Sequence, residues 1–291
     1  MAKVWFITGS SRGLGRSLTA AVLAKGDKVA ATARNPEQLK DLATQYPGQI
    51  LALQLDVTDR QQIYKVVAAA IAHFGRIDVL VNNAGFGITG AAEAFTDEQV
   101  RSQLDTNLYA PIEITRAVLP HMRKQRSGRI LQISSIGGRV GNAGLTMYQA
   151  AKFGLGGFSE ALAKEVAPLG IYVTSVEPGG FRTDWGGASM SFAEKVEGYE
   201  TTVDWVAGYF QTNYEAVGDP DKAAQAMLRI VEEPQPPVHL VLGSEAIGIL
   251  KAADAARTAE MEKWLPLSLS TDHNDASGFL DTAEGKKFQH N

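Results

Sequence analysis

The stretch Val4-Trp5-Phe6-Ile7-Thr8-Gly9-Ser10-Ser11-Arg12-Gly13-Leu14-Gly15 decides the fold. Its apolar run is too short for a helix and breaks on a glycine-rich turn. The helical spacing of Leu18, Val22 and Leu23 follows at once. Strand, tight turn and helix in that order make half of a βαβ unit, and the rhythm repeats outward. Short apolar runs recur at Lys28–Ala33, Ile50–Leu55, Asp78–Val81, Arg129–Ser134, Ile171–Val176 and Val238–Leu242. Helical patterns separate them, over Ser17–Lys25, Gln38–Gln45, Ile63–Ile71, 97–125 and 148–167. Strands that are apolar throughout belong to a parallel sheet covered on both faces. The expectation is an α/β fold with a doubly wound, parallel, seven-stranded sheet, forming one domain over residues 1–243.

Composition narrows the chemistry. Of 291 residues, 45% are hydrophobic and 21% charged, as a folded core requires. The formal charge of −4 offers no surface for a nucleic-acid backbone or for anionic lipid. The basic cluster Arg123, Lys124, Arg126 and Arg129 reads as cations at a helix C-terminus. There is no cysteine, which excludes disulfides, thiolate metal sites and thiol nucleophiles. The five histidines show no ligand spacing, so no metal is expected. No window approaches the ~18 apolar residues of a membrane helix, and the first apolar run is too short for a secretory signal. A cytoplasmic protein without membrane contact is the expectation.

Several places carry chemistry. In the first turn, glycines let a backbone approach a pyrophosphate, which then rests on the N–H groups of the helix N-terminus. An NAD site would show an acidic residue at the end of the second strand; here stand Thr32-Ala33-Arg34-Asn35. Arg34 with Arg12 has the planar donors for a 2′-phosphate, which favours NADP(H) over two merely solvated arginines. At other strand ends lie Asp56-Val57 and Asn82-Asn83-Ala84-Gly85, on the ligand edge of such a sheet. Finally, Tyr148 and Lys152 stand one helical turn apart. A neighbouring ammonium favours phenolate and makes the phenol a usable proton donor. Thirteen residues upstream of Tyr148 stands Ser135, with Ser134 its rival, at the end of the fifth strand.

These pieces resemble the short-chain dehydrogenase/reductase family, in the branch with the shorter core and here with a C-terminal extension. They are Thr8-Gly9…Gly13-x-Gly15, Asn82-Asn83-Ala84-Gly85, Asn107, Ser135, Tyr148-x-x-x-Lys152 and Pro178-Gly179…Thr183, in the family's order. The resemblance implies a Rossmann fold. It also implies Tyr148 as proton donor, Lys152 as its activator and ribose ligand, Ser135 as the carbonyl-polarising hydroxyl, and Asn107 as part of a water relay. The family's interval to Tyr148 selects Ser135 over Ser134. The cofactor path it implies runs through Gly9, Ser11, Arg12, Gly13, Leu14, Gly15, Arg34, Asp56, Val57, Asn83, Ala84, Gly85, Tyr148, Lys152, Pro178, Gly179, Phe181 and Thr183.

Asn107 also has a local argument. Pro111 lacks the N–H that would bond the Asn107 carbonyl four residues earlier, so the helix is expected to break its pattern there.

Two segments depart from the βα rhythm. Residues 181–215 hold Phe181, Trp185, Phe192, Tyr199, Trp205, Tyr209, Phe210 and Tyr214. They read either as a helical hairpin packed on the body or as a substrate lid, with a hinge at Gly186-Gly187 followed by the small Ala188-Ser189. Residues 244–291 read as an extension, beginning as an amphipathic helix over Ala246–Leu265 and ending frayed from Gly285. The functional expectation is an NADPH-dependent carbonyl reductase, reversible as a secondary-alcohol dehydrogenase. Its substrate would be a small-molecule ketone or alcohol, bulky and apolar, and its assembly a homodimer or homotetramer. The alternative is a non-catalytic NADP(H)-binding sensor on the same fold.

Overall fold

Alternate residues of the first strand, β1 (Val4–Ile7), serve two different cores. Trp5 and Ile7 enter one and Phe6 the other, all fully buried, because successive side chains of a strand leave on opposite faces. The computed structural model describes residues 2–186, 189–213, 215–273 and 278–289. After β1 come α1 (Gly13–Ala24), β2 (Lys28–Ala33), α2 (Lys40–Gln45), β3 (Ile50–Gln54), α3 (Arg60–Phe74), β4 (Val79–Asn82) and β5 (Gly87–Thr89). Then follow α4 (Asp97–Leu104), α5 (Ala110–Gln125), β6 (Gly128–Ile133), α6 (Thr146–Val166), β7 (Ile171–Pro178) and β8 (Met190–Phe192). The chain continues with α7 (Trp205–Gly208), α8 (Pro220–Glu232), β9 (His239–Leu242), α9 (Ser244–Leu269) and α10 (Ala283–Gln289).

Seven strands form a parallel sheet in the order β3-β2-β1-β4-β6-β7-β9. Leu18, Val22, Leu23, Met227 and Leu228 from α1 and α8 cover one face; Ile63, Val67, Ile114, Val118 and Leu162 from α3, α5 and α6 cover the other. This is the doubly wound Rossmann fold. Strand order reverses between β1 and β4, and there a crevice opens beyond the carboxyl ends of the strands. The ends of β1, β4, β6 and β7 deliver Gly9, Asn83, Ser135 and Gly179 to that one edge.

Local chemistry sets the element ends. Asp59 accepts from Gln61 N and Gln62 N to start α3, and Gly75 ends it with a φ of 81°. Thr96 and Gln99 form a reciprocal capping box on α4. The expected single helix over 97–125 is interrupted where Pro111 requires it. Asp105–Tyr109 form a π-helical turn, with Ala110 N bonding to Asp105 O. Arg129, in the basic cluster, has its guanidinium on the Val231 and Glu233 carbonyls and 4.3 Å from the Tyr172 ring centroid.

Three expectations change. The aromatic segment is neither a plain hairpin nor uniformly helical, since Met190–Phe192 make a strand, β8, parallel to β5. Gly187 of the expected hinge, Ala188 after it, and Tyr214 lie outside the described residues. In place of the expected frayed end from Gly285, residues 283–289 are helical; residues 290 and 291 lie outside the described residues. The chain divides into two compact units, Met1–Ile247 and Gly248–Asn291. Helix α9, which begins in the first unit and runs on into the second, collects its apolar residues on no single face, contrary to the amphipathic reading: Met261, Trp264, Leu265, Leu267 and Leu269 are all exposed. Among the described residues no helix is long and apolar enough to cross a membrane.

Candidate active site

The glycine turn closes on β4 through a polar knot. Thr8 Oγ1 accepts from Asn83 N at 2.9 Å and Ala84 N at 3.0 Å, and Asn83 Nδ2 donates to the Thr8 and Gly9 carbonyls. Gly9 sits at φ 66°, a conformation that favours glycine. Gly15 is required for another reason: a Cβ there would lie 2.3 Å from both Asn83 Nδ2 and Gly9 O. It lets α1 pack against the knot and does not line the crevice. Gly13, by contrast, opens towards it, with only Thr183 near the position of a Cβ.

Beside this turn runs a cleft of about 580 Å³. All the residues of the expected cofactor path except Gly15 line it, as does Ser135. At one end stand Arg12, Arg34 and Asp56. Among the described residues neither arginine pairs with a carboxylate, whereas nearby Arg16 is engaged with Asp41 and the Gln38 carbonyl. Asp56 Oδ1 accepts from Thr58 N and Oγ1, which holds its carboxylate beside the cleft.

At the other end the catalytic candidates converge. Tyr148 and Lys152 are buried on α6, with Lys152 Nζ 5.8 Å from the Tyr148 ring centroid. Lys152 Nζ donates to Ile133 O at 2.8 Å, and burial pushes its ammonium down from 10.5 to about 8. Ser135 Oγ accepts from Gly137 N at 3.0 Å. A Cβ on Gly137 would meet Ser135 Oγ at 3.3 Å and Tyr148 Cε1 at 3.4 Å, so hydroxyl and phenol ring flank the same narrow space. Ser134 is more deeply buried, and its hydroxyl turns to the Lys152 carbonyl at 3.4 Å.

Asn107 lies behind the cleft, fully buried in the π turn. Its amide grips the Phe86 backbone, accepting from N at 3.2 Å and donating to O at 2.7 Å. A Cβ on Gly85 would lie 2.7 Å from Asn107 Oδ1 and 3.8 Å from Lys152 Nζ, so Gly85 permits the close passage of β4's exit past both.

Sequence reasoning missed further lining residues, among them Phe86, Ser102, Thr106, Met190 and Ser191. Phe86 directly follows the Asn82–Gly85 motif, while Ser102, Thr106, Met190 and Ser191 are brought in only by the apposition of α4, the turn after it, and β8 to the strand ends. Also missed was Glu177, almost fully buried one residue before Pro178. Its carboxylate bonds His239 Nδ1 at 2.5 Å, Arg139 Nη1 at 3.3 Å and Ser175 Oγ at 3.2 Å. It thereby ties the segment after Ser135 to the strands that carry the Pro178-Gly179 turn.

The sequence pattern of short chain dehydrogenases matches residues 3–193. The chain belongs to the short-chain dehydrogenase family. It is 44% identical over 273 residues to the oxidoreductase BOA17 of Botryotinia fuckeliana, covering 93% of this chain and 100% of that one. A short-chain dehydrogenase from Streptomyces avermitilis is similar in structure, with a TM-score of 0.90 and 41% identity over 94% of this chain and 100% of the other. The closed form of serine dehydrogenase complexed with NADP+ gives a TM-score of 0.72 at 28% identity, over 82% and 94%. This short-chain dehydrogenase is thus an oxidoreductase with a nicotinamide cofactor. Its cleft fits such a dinucleotide, because the glycine turn leaves backbone N–H groups approachable at one strand end and the Arg12 and Arg34 guanidinium groups stand beyond it.

Proposed function

We propose that this short-chain dehydrogenase is an NADPH-dependent carbonyl reductase, reversible as a secondary-alcohol dehydrogenase, acting on bulky apolar ketones. The observation that carries the reading is the convergence of the Tyr148 ring and Ser135 Oγ on one narrow space, with the buried Lys152 ammonium beside the tyrosine. When bound, NADPH supplies the hydride. Ser135 Oγ would donate a hydrogen bond to the substrate oxygen as negative charge builds there. Tyr148 Oη would deliver the proton, and the Lys152 ammonium would stabilise the phenolate left behind. Asn107, whose carbonyl receives no N–H from Pro111, would hold a water that returns a proton towards Lys152.

The preference for NADPH is supported by Ala33, Arg34 and Arg12. No carboxylate at the end of β2 opposes a 2′-phosphate, and both guanidinium groups line the cleft. The bulky substrate is supported by the aromatic residues around Tyr148. Trp185, Phe86 and Met190 line the cleft, and Phe210 packs against Trp185 with ring centroids 5.8 Å apart. These surfaces suit an extended apolar ligand better than a small polar one. NADPH and NADH consumption should be followed against ketones graded from small aliphatic to polycyclic. Fast turnover with NADPH on bulky members is expected; equal use of NADH, or preference for the smallest ketones, would overturn the respective half of the proposal. Binding of NADPH with no turnover on any ketone or alcohol would favour the sensor.

A further inference from the structure

Strand β5 is only three residues long, yet the aromatic segment docks on it. Gly87 N donates to Ser189 O at 3.2 Å and Ala193 N to Thr89 O at 2.9 Å, bracketing the parallel pairing of Gly87–Thr89 with Met190–Phe192. The edge is shaped for close approach. A Cβ on Gly90 would lie 2.5 Å from the Ala193 Cβ, and one on Gly87 would crowd Met190 at 3.1 Å and Trp185 at 3.2 Å. So short a strand has little stability of its own and must be held from behind.

What holds it is a side chain with no place in the proton and hydride chemistry. Gln103 of α4 is fully buried. Its Nε2 donates to Phe86 O and its Oε1 accepts from Ile88 N, both at 2.9 Å. One helical turn later Asn107 grips the same Phe86 from the same helical path. A leucine would fill this volume but would leave the buried Ile88 N–H without its partner and the Phe86 carbonyl with Asn107 alone.

We propose that Gln103 is a positioning residue for substrate specificity: it holds Phe86–Ile88 extended, so that β5 seats residues 189–193 and brings Trp185 and Met190 against the cleft. The substrate part rests on the carbonyl-reductase reading; the docking part stands on the hydrogen bonds alone.

The test uses Gln103→Leu, which keeps the bulk and loses the amide, and Gly90→Ala, which attacks the same docking from the edge. Amide hydrogen exchange at residues 190–193, without ketone, should quicken in both variants while β1 and β6 stay protected. KM for a bulky ketone should rise about tenfold in each. The kcat for a small aliphatic ketone should stay within about twofold. Because both act through one docking edge, the double variant should do little more than either alone. Unchanged exchange at 190–193 overturns the proposal, as do losses that are equal for both ketones or additive in the double variant. If Gln103→Leu does not fold, Gly90→Ala alone must still show the split. A wild type that reduces no bulky ketone sinks the carbonyl-reductase reading and leaves the exchange experiment to decide the role of Gln103.

Discussion

Trp185 lies against the ring of Tyr148, with centroids 5.3 Å apart and planes inclined at 56°. Behind it an aromatic row continues through Phe210 and Tyr209 to Trp205, which is exposed. The aromatic segment therefore touches the proposed proton donor directly. Trp185→Ala should raise KM for a bulky apolar ketone roughly tenfold, as removal of one aromatic surface from the cleft implies. KM for a small aliphatic ketone should change far less. Steady-state kinetics on the two substrates checks this, and equal changes would mean that Trp185 serves packing alone.

The chemistry is tested at three hydroxyls. Tyr148→Phe should lower kcat by a factor of ~1,000 or more and leave NADPH affinity, read by calorimetry, nearly unchanged. Ser135→Ala should cost about 100-fold, in keeping with loss of one donor to a developing oxyanion. Ser134→Ala should be much milder, because that hydroxyl faces the Lys152 carbonyl. Comparable losses at the two serines would overturn the assignment.

Cofactor choice is carried by a strand end without a carboxylate. Replacing Ala33 with Asp and Arg34 with Ala should swing preference towards NADH. Affinity for NADPH should fall about tenfold or more for each charged hydrogen bond to the 2′-phosphate that is removed. Ratios of kcat/KM for the two cofactors check it. A wild type indifferent between them would refute the role of the arginines.

Lys152 makes stability and activity diverge with pH. Its buried ammonium loses a proton near 8 in the folded protein, against 10.5 when unfolded. Between those values the unfolded chain binds more protons, so this group's contribution to stability rises with pH across that window. Below about 8 the full cost of burying the charge is present. Activity should run the other way, with kcat/KM falling on an alkaline limb near 8 as the ammonium is lost. Lys152→Met should abolish most turnover yet be more stable than wild type at pH 7, because the cost of burying the ammonium is gone. Denaturant titrations at pH 7 and 10 check the sign; a Lys152→Met variant less stable at pH 7 would contradict it.

Much of this was legible in the amino-acid order because the physics is local. A glycine turn between an apolar run and a helical pattern, the ends of strands at Asn83 and Ser135, and one turn between Tyr148 and Lys152 are all short-range facts. Even the break in the helix near Asn107, which the structure makes as a π turn, follows from a missing N–H on Pro111, four residues further on. Other features have no short-range signal. Gly87 pairs with Met190 across about a hundred residues, and neither run is long or periodic enough to announce a strand. Gln103 looks like any polar helix residue until the fold buries it against Phe86 and Ile88. Glu177 sits in a strand that reads as core, and only tertiary packing supplies Arg139 and His239 to its buried carboxylate. Backbone periodicity and turn chemistry are written in neighbouring residues, so the amino-acid order sufficed for the sheet, the crevice and the residues at its strand ends. Which buried polar group meets which distant backbone, and where the aromatic segment comes to rest, depend on the whole chain closing on itself, and no run of neighbouring residues encodes them.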